Sequence, residues 1–160
     1  MLWEFFFAGK RNLLDDGACV FEPMCGYSEG KKIIESFCNK NILYAGFDYS
    51  RPLVEEAQFR YPGLDISIQD VTKYEATKEY DLIILIGGLH HVYAHTSDVL
   101  TRLTKALKPG GYFINFEPTQ DNCIFRHIRE RIYSKNLIFD EGTERAYDLS
   151  ELNQFYRDAE

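Results

Sequence analysis

The sequence predicts an α/β protein built on a doubly wound, mainly parallel sheet. Three observations predict it. Short apolar runs suited to buried strands recur between stretches whose apolar residues fall at helical spacing. The run Asp81-Leu-Ile-Ile-Leu-Ile86 is apolar on both faces, as central parallel strands are. Five such strands with intervening helices imply parallel neighbours, because these need crossover connections.

The first strand is Ala18-Cys-Val-Phe-Glu22, an apolar run ending at an acid and a proline. Ser28 to Asn39 follows as an amphipathic helix, with Ile33, Ile34 and Phe37 at the required spacing. Ile42 to Asp48 is the second strand. Ser50 caps the next helix, Pro52 fits its first turn, and Tyr61-Pro62-Gly63 ends it. Asp65-Ile-Ser-Ile-Gln69 alternates as a short third strand, while Val71 to Glu79 is too short and polar to assign. After the fourth strand, Asp81 to Ile86, Thr96 or Ser97 caps a helix running to Leu107. Pro109-Gly110-Gly111 then turns the chain into a fifth strand, Tyr112 to Phe116. Beyond Pro118 come a charged amphipathic helix, 122–134, and a last helix from Ser150 to Ala159.

A chain of 160 residues is the length of one domain. It divides into an N-terminal helix (1–17), a core (18–118) and a helical C-terminal segment (119–160). Apolar residues make up 45% and charged residues 27%, which excludes disordered, collagen-like and low-complexity classes. Lys and Arg number 18 against 25 Asp and Glu, a net charge of -7. A phosphate backbone repels such a chain, so nucleic acid is disfavoured as a partner. The longest apolar run, Leu82 to Leu89, falls far short of a membrane span. Met1 to Ala8 lacks a basic leading segment and Glu4 interrupts it, so a signal peptide is not expected. Cys19, Cys25, Cys38 and Cys123 show no CxxC pairing and no zinc-finger spacing to His. They read as free thiols in a reducing compartment, with no metal site and a cytoplasmic address.

In doubly wound sheets the ligand lies beyond the carboxyl ends of the strands, where strand order reverses. The turn Glu22-Pro-Met-Cys-Gly-Tyr-Ser-Glu-Gly30 leads from strand to helix, where glycine lets backbone approach a ligand. Asp48 ends the second strand, at a spacing from Glu22 that suits a carboxylate bridging ribose hydroxyls, or serves as an N-cap acid beside Ser50. Gln69-Asp70-Val71 puts another acid at a strand end. Gly87-Gly-Leu-His-His91 follows the fourth strand, and Leu107-Lys-Pro-Gly-Gly111 precedes the fifth.

Taken together in order, these elements resemble the class I S-adenosylmethionine-dependent methyltransferases, a Rossmann-like group acting mostly on small molecules. The resemblance covers residues 18–118. It implies S-adenosylmethionine as cofactor, with the first loop, Glu22, Met24, Cys25 and Gly26, beside its methionine moiety. It further implies that Asp48 holds the ribose hydroxyls, Tyr49 lies against adenine, and Asp70 faces the adenine amino group with Val71 supplying neighbouring backbone. Gly87, Gly88 and Leu89 would border the reacting methyl group. Two departures stand out. Met24 and Ser28 replace glycines of the family loop, and a non-glycine residue at positive φ costs about 1–2 kcal/mol. The antiparallel strand pair that closes the family sheet does not follow the last helix. This implies a minimal five-strand form, or an oligomer, partner or further segment over the open sheet edge.

Methyl transfer relies mainly on positioning and desolvation; a base is needed only when the acceptor must lose a proton. His90 and His91 are the catalytic candidates. If the segment continues as a strand, only one of them faces the site, and His90 comes first; both can instead pack or cap the next helix. Glu117 either contacts an acceptor or is a solvated loop acid. Trp3, Phe5, Phe6 and Phe7 form a lid or core; Lys10 and Arg11 pair with the cofactor carboxylate or favour a helix C-terminus. Arg126, Arg129, Glu130 and Arg131 read as a wet helix face, and Phe139 to Tyr147, with Arg145, can fold over the acceptor pocket. The expected function is methyl transfer from S-adenosylmethionine to a small-molecule acceptor. The alternative is a weak or inactive methyltransferase-like module acting through partner contacts. A nicotinamide dehydrogenase is disfavoured because G-x-G-x-x-G is absent and Glu22 would meet the pyrophosphate. The Asn/Asp-Pro-Pro-Tyr/Phe segment of base amino-methylation and the Pro-Cys nucleophile of cytosine methylation are also absent.

Overall fold

The computed structural model describes residues 13–38, 40–120 and 145–159. The expectations for Trp3, Phe5, Phe6, Phe7, Lys10 and Arg11, for Cys123, for the 122–134 helix with Arg126, Arg129, Glu130 and Arg131, and for Phe139 lie outside the described residues.

Five strands form one sheet: β1 (Ala18–Pro23), β2 (Ile42–Asp48), β3 (Asp65–Ile68), β4 (Tyr80–Ile86) and β5 (Leu107–Phe116). Their order is β3-β2-β1-β4-β5, and every neighbouring pair is parallel. The helices are α1 (Glu29–Phe37), α2 (Arg51–Arg60), α3 (Thr96–Thr104) and α4 (Leu149–Ala159), with 3-10 turns at Val71–Lys73 and Leu89–His95. The doubly wound, parallel expectation is met. From β1 the chain winds outward through β2 and β3, then returns to place β4 on the other side of β1. Between β1 and β4 the order reverses.

β4 shows why the core divides in two. Leu82, Ile83, Ile84 and Leu85 are all fully buried, and alternate side chains point to opposite faces. Ile83 and Leu85 pack with Phe21, Phe47, the α3 residues Val99, Leu100 and Leu103, and Leu152 of α4. Leu82 and Ile84 pack with Val20, Ile34 of α1, and Val54 and Ala57 of α2. The Phe21 and Tyr80 rings stack with centroids 4.5 Å apart. Such two-sided burial explains the unbroken apolar run.

Element boundaries differ where local chemistry decides. β5 starts at Leu107 rather than Tyr112, because Leu107 pairs with Tyr80 before the register shifts and Tyr112 pairs with Leu82. Lys108 to Gly111 form the irregularity, and a Cβ on Gly111 would lie 3.0–3.2 Å from the carbonyl oxygens of Lys108, Tyr80 and Asp81. That glycine lets the strand resume. α3 ends at Thr104, and Thr96 lies inside it, its hydroxyl donating to the Tyr93 carbonyl at 2.8 Å. Ser50 stands at the N-cap of α2, but no side-chain bond caps the helix; its N–H donates to Asp48 Oδ1 at 2.8 Å.

α1 approaches β1 closely enough that Gly30 N–H donates to Glu22 Oε1 at 3.3 Å. A Cβ on Gly30 would sit 2.5 Å from Glu22 Oε2. Glu22 is buried and also accepts from the Tyr44 hydroxyl. Burial pushes its carboxyl up to about 7, against the opposing pull of the Tyr44 and Gly30 hydrogen bonds; the charges of Glu29 and Asp48 add to the rise. Two predictions follow from this packing. Gly30→Ala lowers unfolding free energy by about 1–3 kcal/mol, the range for overpacking, as read by urea denaturation; an unchanged midpoint would contradict the close approach. Between pH 4.5 and about 7 the folded state keeps a proton on Glu22 that the unfolded chain releases, so this group lowers stability as pH rises through that window. Glu22→Gln removes that contribution, and its Tm should fall less than wild type between the two pH values; parallel Tm curves would refute the assignment.

Candidate functional site

The turn after β1 folds back over the end of β2. Met24, Gly26 and Ser28 all take left-handed backbone, with φ of 55, 50 and 60°. Cys25 N–H donates to the Phe47 carbonyl at 2.9 Å, and Ser28 N–H to the Cys25 carbonyl at 2.7 Å. Gly26 N–H donates to Asp48 Oδ2 at 2.8 Å. The turn fits because β2 carries Gly46: a Cβ there would lie 3.0 Å from the Glu22 carbonyl oxygen and 3.2 Å from Cys25 Cβ. Cys25 is buried, and burial pushes its thiol up to about 12, so it is a packing group and not a nucleophile.

Beyond β3, Asp70 caps the 3-10 turn that starts at Val71. Its Oδ1 accepts from Thr72 N–H at 3.0 Å and from the Thr72 hydroxyl at 2.7 Å, and Lys73 Nζ lies 3.2 Å from Oδ2. The Thr72 hydroxyl bond, with help from Lys73, holds the Asp70 carboxyl below the usual range.

A cavity of about 340 Å³ opens at these carboxyl ends. Met24, Asp48, Tyr49, Asp70, Val71 and His91 line it, together with Gln69, Thr72 and Val92. Thr72 and Val92 carry no sequence signal that singles them out. The other expected residues stand behind this wall. Glu22 and Cys25 are buried under the turn. Gly87, at φ 61°, turns the chain out of β4. Gly88 lies under Met24, whose Cβ and Sδ would be 3.0 and 3.1 Å from a Cβ placed there. Leu89 is fully buried in the core.

The two histidines part company. The segment after β4 is a 3-10 turn, not a strand, so neighbouring side chains do not alternate. His90 Nδ1 lies 2.9 Å from Glu117 Oε2, and His91 is in the cavity wall. Their rings are 4.0 Å apart between centroids. Glu117 is not a solvated acid: its side chain is fully buried. In the C-terminal segment, Arg145 stacks over Tyr93 at 4.0 Å and pairs with Glu151 at 2.6 Å.

A larger hollow, about 1100 Å³, runs along the outer edge of β5, lined by residues such as Thr104, Leu107, Phe113 and Tyr156 rather than by the carboxyl-end turns. Among the described residues no group of three or more His, Cys, Asp or Glu is placed to hold a metal ion. No helix among them is long and apolar enough to cross a membrane.

In solved structures the fold recurs widely. A chain of the Haloferax volcanii complex between the Trm112 methyltransferase activator and a methyltransferase superposes with a TM-score of 0.75 at 18% identity, covering 97% of this chain and 65% of that one. An S-adenosylmethionine-dependent methyltransferase from Clostridium acetobutylicum gives 0.71 at 16% identity, covering 98% of this chain and 77% of that one. Among curated relatives, phthiotriol/phenolphthiotriol dimycocerosates methyltransferase 1 of Mycobacterium ulcerans is 29% identical over 100 residues. That stretch is 61% of this chain and 36% of the relative, so the chain spans little more than a third of the curated protein it matches. The methyltransferase domain family matches residues 25–113, more than half of the chain and the whole span from the β1 turn into β5. On that match, the chain belongs to the methyltransferase domain family.

Proposed function

We propose that this chain binds S-adenosylmethionine at the carboxyl ends of β1, β2 and β4 and transfers its methyl group to a small-molecule acceptor. The observation that carries the reading is the cavity that gathers Met24, Asp48, Tyr49, Asp70, Val71 and His91 from four separate loops. Its volume of about 340 Å³ falls in the range of small-molecule sites.

The residues fit the cofactor. Each Asp48 oxygen takes one backbone N–H, from Gly26 or Ser50, and a carboxylate oxygen has a second acceptor position to spare. That leaves Asp48 able to accept from two vicinal hydroxyls at once. Tyr49 is 78% exposed and offers a flat ring face to a purine, and Val71 offers an apolar contact. Asp70 Oδ2 remains able to accept from an exocyclic amino group. When bound, S-adenosylmethionine supplies an electrophilic methyl group on a sulfonium, open to in-line displacement by an acceptor lone pair.

The residues of the chain bind, orient and take up a proton. Asp48 and Asp70 anchor the two ends of the nucleoside and so fix where the rest lies. Gly87 and Gly88 bring backbone, without bulk, to the methyl side. His91 serves as base for an acceptor that must lose a proton, in preference to His90, whose Nδ1 is engaged by Glu117. A partner for this chain is part of the same reading, in line with the structural neighbour found in complex with an activator.

The strained turn favours a second reading, a weak or inactive module acting through partners. Met24 packs on Gly88 at the mouth of the same crevice. Calorimetric titration separates the two. Wild type should bind S-adenosylmethionine, and Asp48→Ala should weaken binding by about 1–3 kcal/mol, the scale of hydrogen bonds to a charged group. No heat from wild type at millimolar cofactor would favour the partner module. With an acceptor that must be deprotonated, His91→Ala should lower turnover by about 10²–10⁴-fold and leave cofactor affinity nearly intact. Equal turnover would reduce the mechanism to positioning alone, and a loss confined to His90→Ala would return the role to His90.

A further inference from the structure

We propose that Glu117 is a positioning residue: a buried carboxylate that sets the methyl side of the site by clamping the start of the turn that carries His91. The clamp is read directly from hydrogen bonds. Glu117 Oε1 accepts Leu89 N–H at 2.7 Å, and Oε2 accepts His90 N–H at 3.3 Å. The same Oε2 lies 2.9 Å from His90 Nδ1. These partners are 27 and 28 residues away in sequence. The Glu117 side chain is 0% exposed and that of His90 14%, so water cannot easily replace either.

The first N–H groups of a helical turn have no partner within it. Here Leu89 and His90 open the 3-10 turn, no side chain of the turn's own cap bonds them, and the residue that follows β5 supplies the acceptor. Tyr147 secures the other side. Its hydroxyl donates to the Leu89 carbonyl at 3.0 Å and lies 2.6 Å from Thr96 Oγ1. Tyr147 is itself fully buried. Leu89 is thereby held through both its N–H and its C=O, by residues from two different segments. His91 N–H then donates to the Gly88 carbonyl at 3.0 Å, and its ring lies tilted against the His90 ring that Glu117 orients. Where the His91 imidazole stands in the cavity wall therefore depends on Glu117.

A carboxylate suits the clamp. Leu89 N–H and His90 N–H meet different oxygens of Glu117, and a glutamine side chain offers one oxygen and one donating nitrogen. Glu117→Gln thus keeps the shape and turns one arm of the clamp into a donor facing a donor.

The test has two independent halves. Amide hydrogen exchange, followed by NMR, reads the clamp without any ligand. Leu89 and His90 N–H should be protected in wild type and exchange more than about tenfold faster in Glu117→Gln, while core amides of β4 stay protected. Isothermal titration reads the methyl side with two probes, S-adenosylmethionine and S-adenosylhomocysteine, which differ only in the methyl group and its charge. This half rests on the methyl-transfer reading. The ratio of the two affinities should change severalfold in Glu117→Gln while the S-adenosylhomocysteine affinity holds within about twofold. Unchanged exchange at Leu89 and His90 would overturn the clamp, whatever the ligand result. Accelerated exchange with an equal loss for both ligands would overturn the assignment to the methyl side. Failure of wild type to bind either ligand counts against the methyl-transfer reading, and exchange still decides the clamp. Should Glu117→Gln fail to fold, Glu117→Asp, whose shorter side chain draws the oxygens back from both N–H groups, is held to the same outcomes.

Discussion

The carboxyl edge of the molecule depends on one constraint, the left-handed turn that carries the chain out of β1. Three alternate residues, Met24, Gly26 and Ser28, hold positive φ, and two of them are not glycine. Each such residue costs about 1–2 kcal/mol. The surrounding structure offsets this with hydrogen bonds from Cys25 N–H to the Phe47 carbonyl and from Gly26 N–H to the Asp48 carboxylate. The same turn decides where Asp48 points, how close α1 starts to β1, and what lies over Gly88. If it relaxed toward extended backbone, Gly26 would leave Asp48 and the cavity would lose its floor.

The rest of the site is assembled by carboxylates that bond within and between the carboxyl-end loops. Asp48 ties the β1 turn to the start of α2, Asp70 caps the turn after β3, and Glu117 ties the end of β5 to the turn after β4. Each acid ends a strand and satisfies backbone donors that a turn would otherwise leave unpaired. Three carboxylates placed this way give a rigid rim, and on Asp48 and Asp70 acceptor capacity remains for a ligand. The acid at Glu22 differs: it is sealed beneath the turn, where burial favours its proton. The carboxyl-end acids thus divide into one structural group and three rim groups, and only two of these reach the cavity.

Much of this is legible in the sequence. Leu82 to Leu85 announce a strand buried on both faces because each of them meets a helix, and Asp48 and Asp70 stand at strand ends where a doubly wound sheet places ligands. Three things were not legible. Pro109-Gly110-Gly111 reads as a turn, yet Leu107 already pairs with Tyr80, since a register shift lets a strand absorb turn residues. His90 comes first along the chain after Gly87-Gly88 and so reads as the base, whereas a 3-10 turn rotates neighbours by a third of a circle and places His91 in the cavity wall. Glu117 looks like a loop acid because its partners, the N–H groups of Leu89 and His90, are remote in sequence and become neighbours only when β4 and β5 pair. Gly46 carries a signal that could have been used: a glycine inside a strand marks close approach of another backbone, here the β1 turn.

The central claim is that the crevice over the β1–β4 reversal is a nucleoside site anchored on Asp48. A crystal structure of the chain with S-adenosylhomocysteine tests it most directly. The ribose hydroxyls should lie within hydrogen-bond distance of Asp48, the purine between Tyr49 and Val71, and the β1 turn should keep its left-handed backbone. Density for the ligand along the outer edge of β5, or a crevice left with Asp48 bonded to Gly26 and Ser50 alone at saturating ligand, would contradict it.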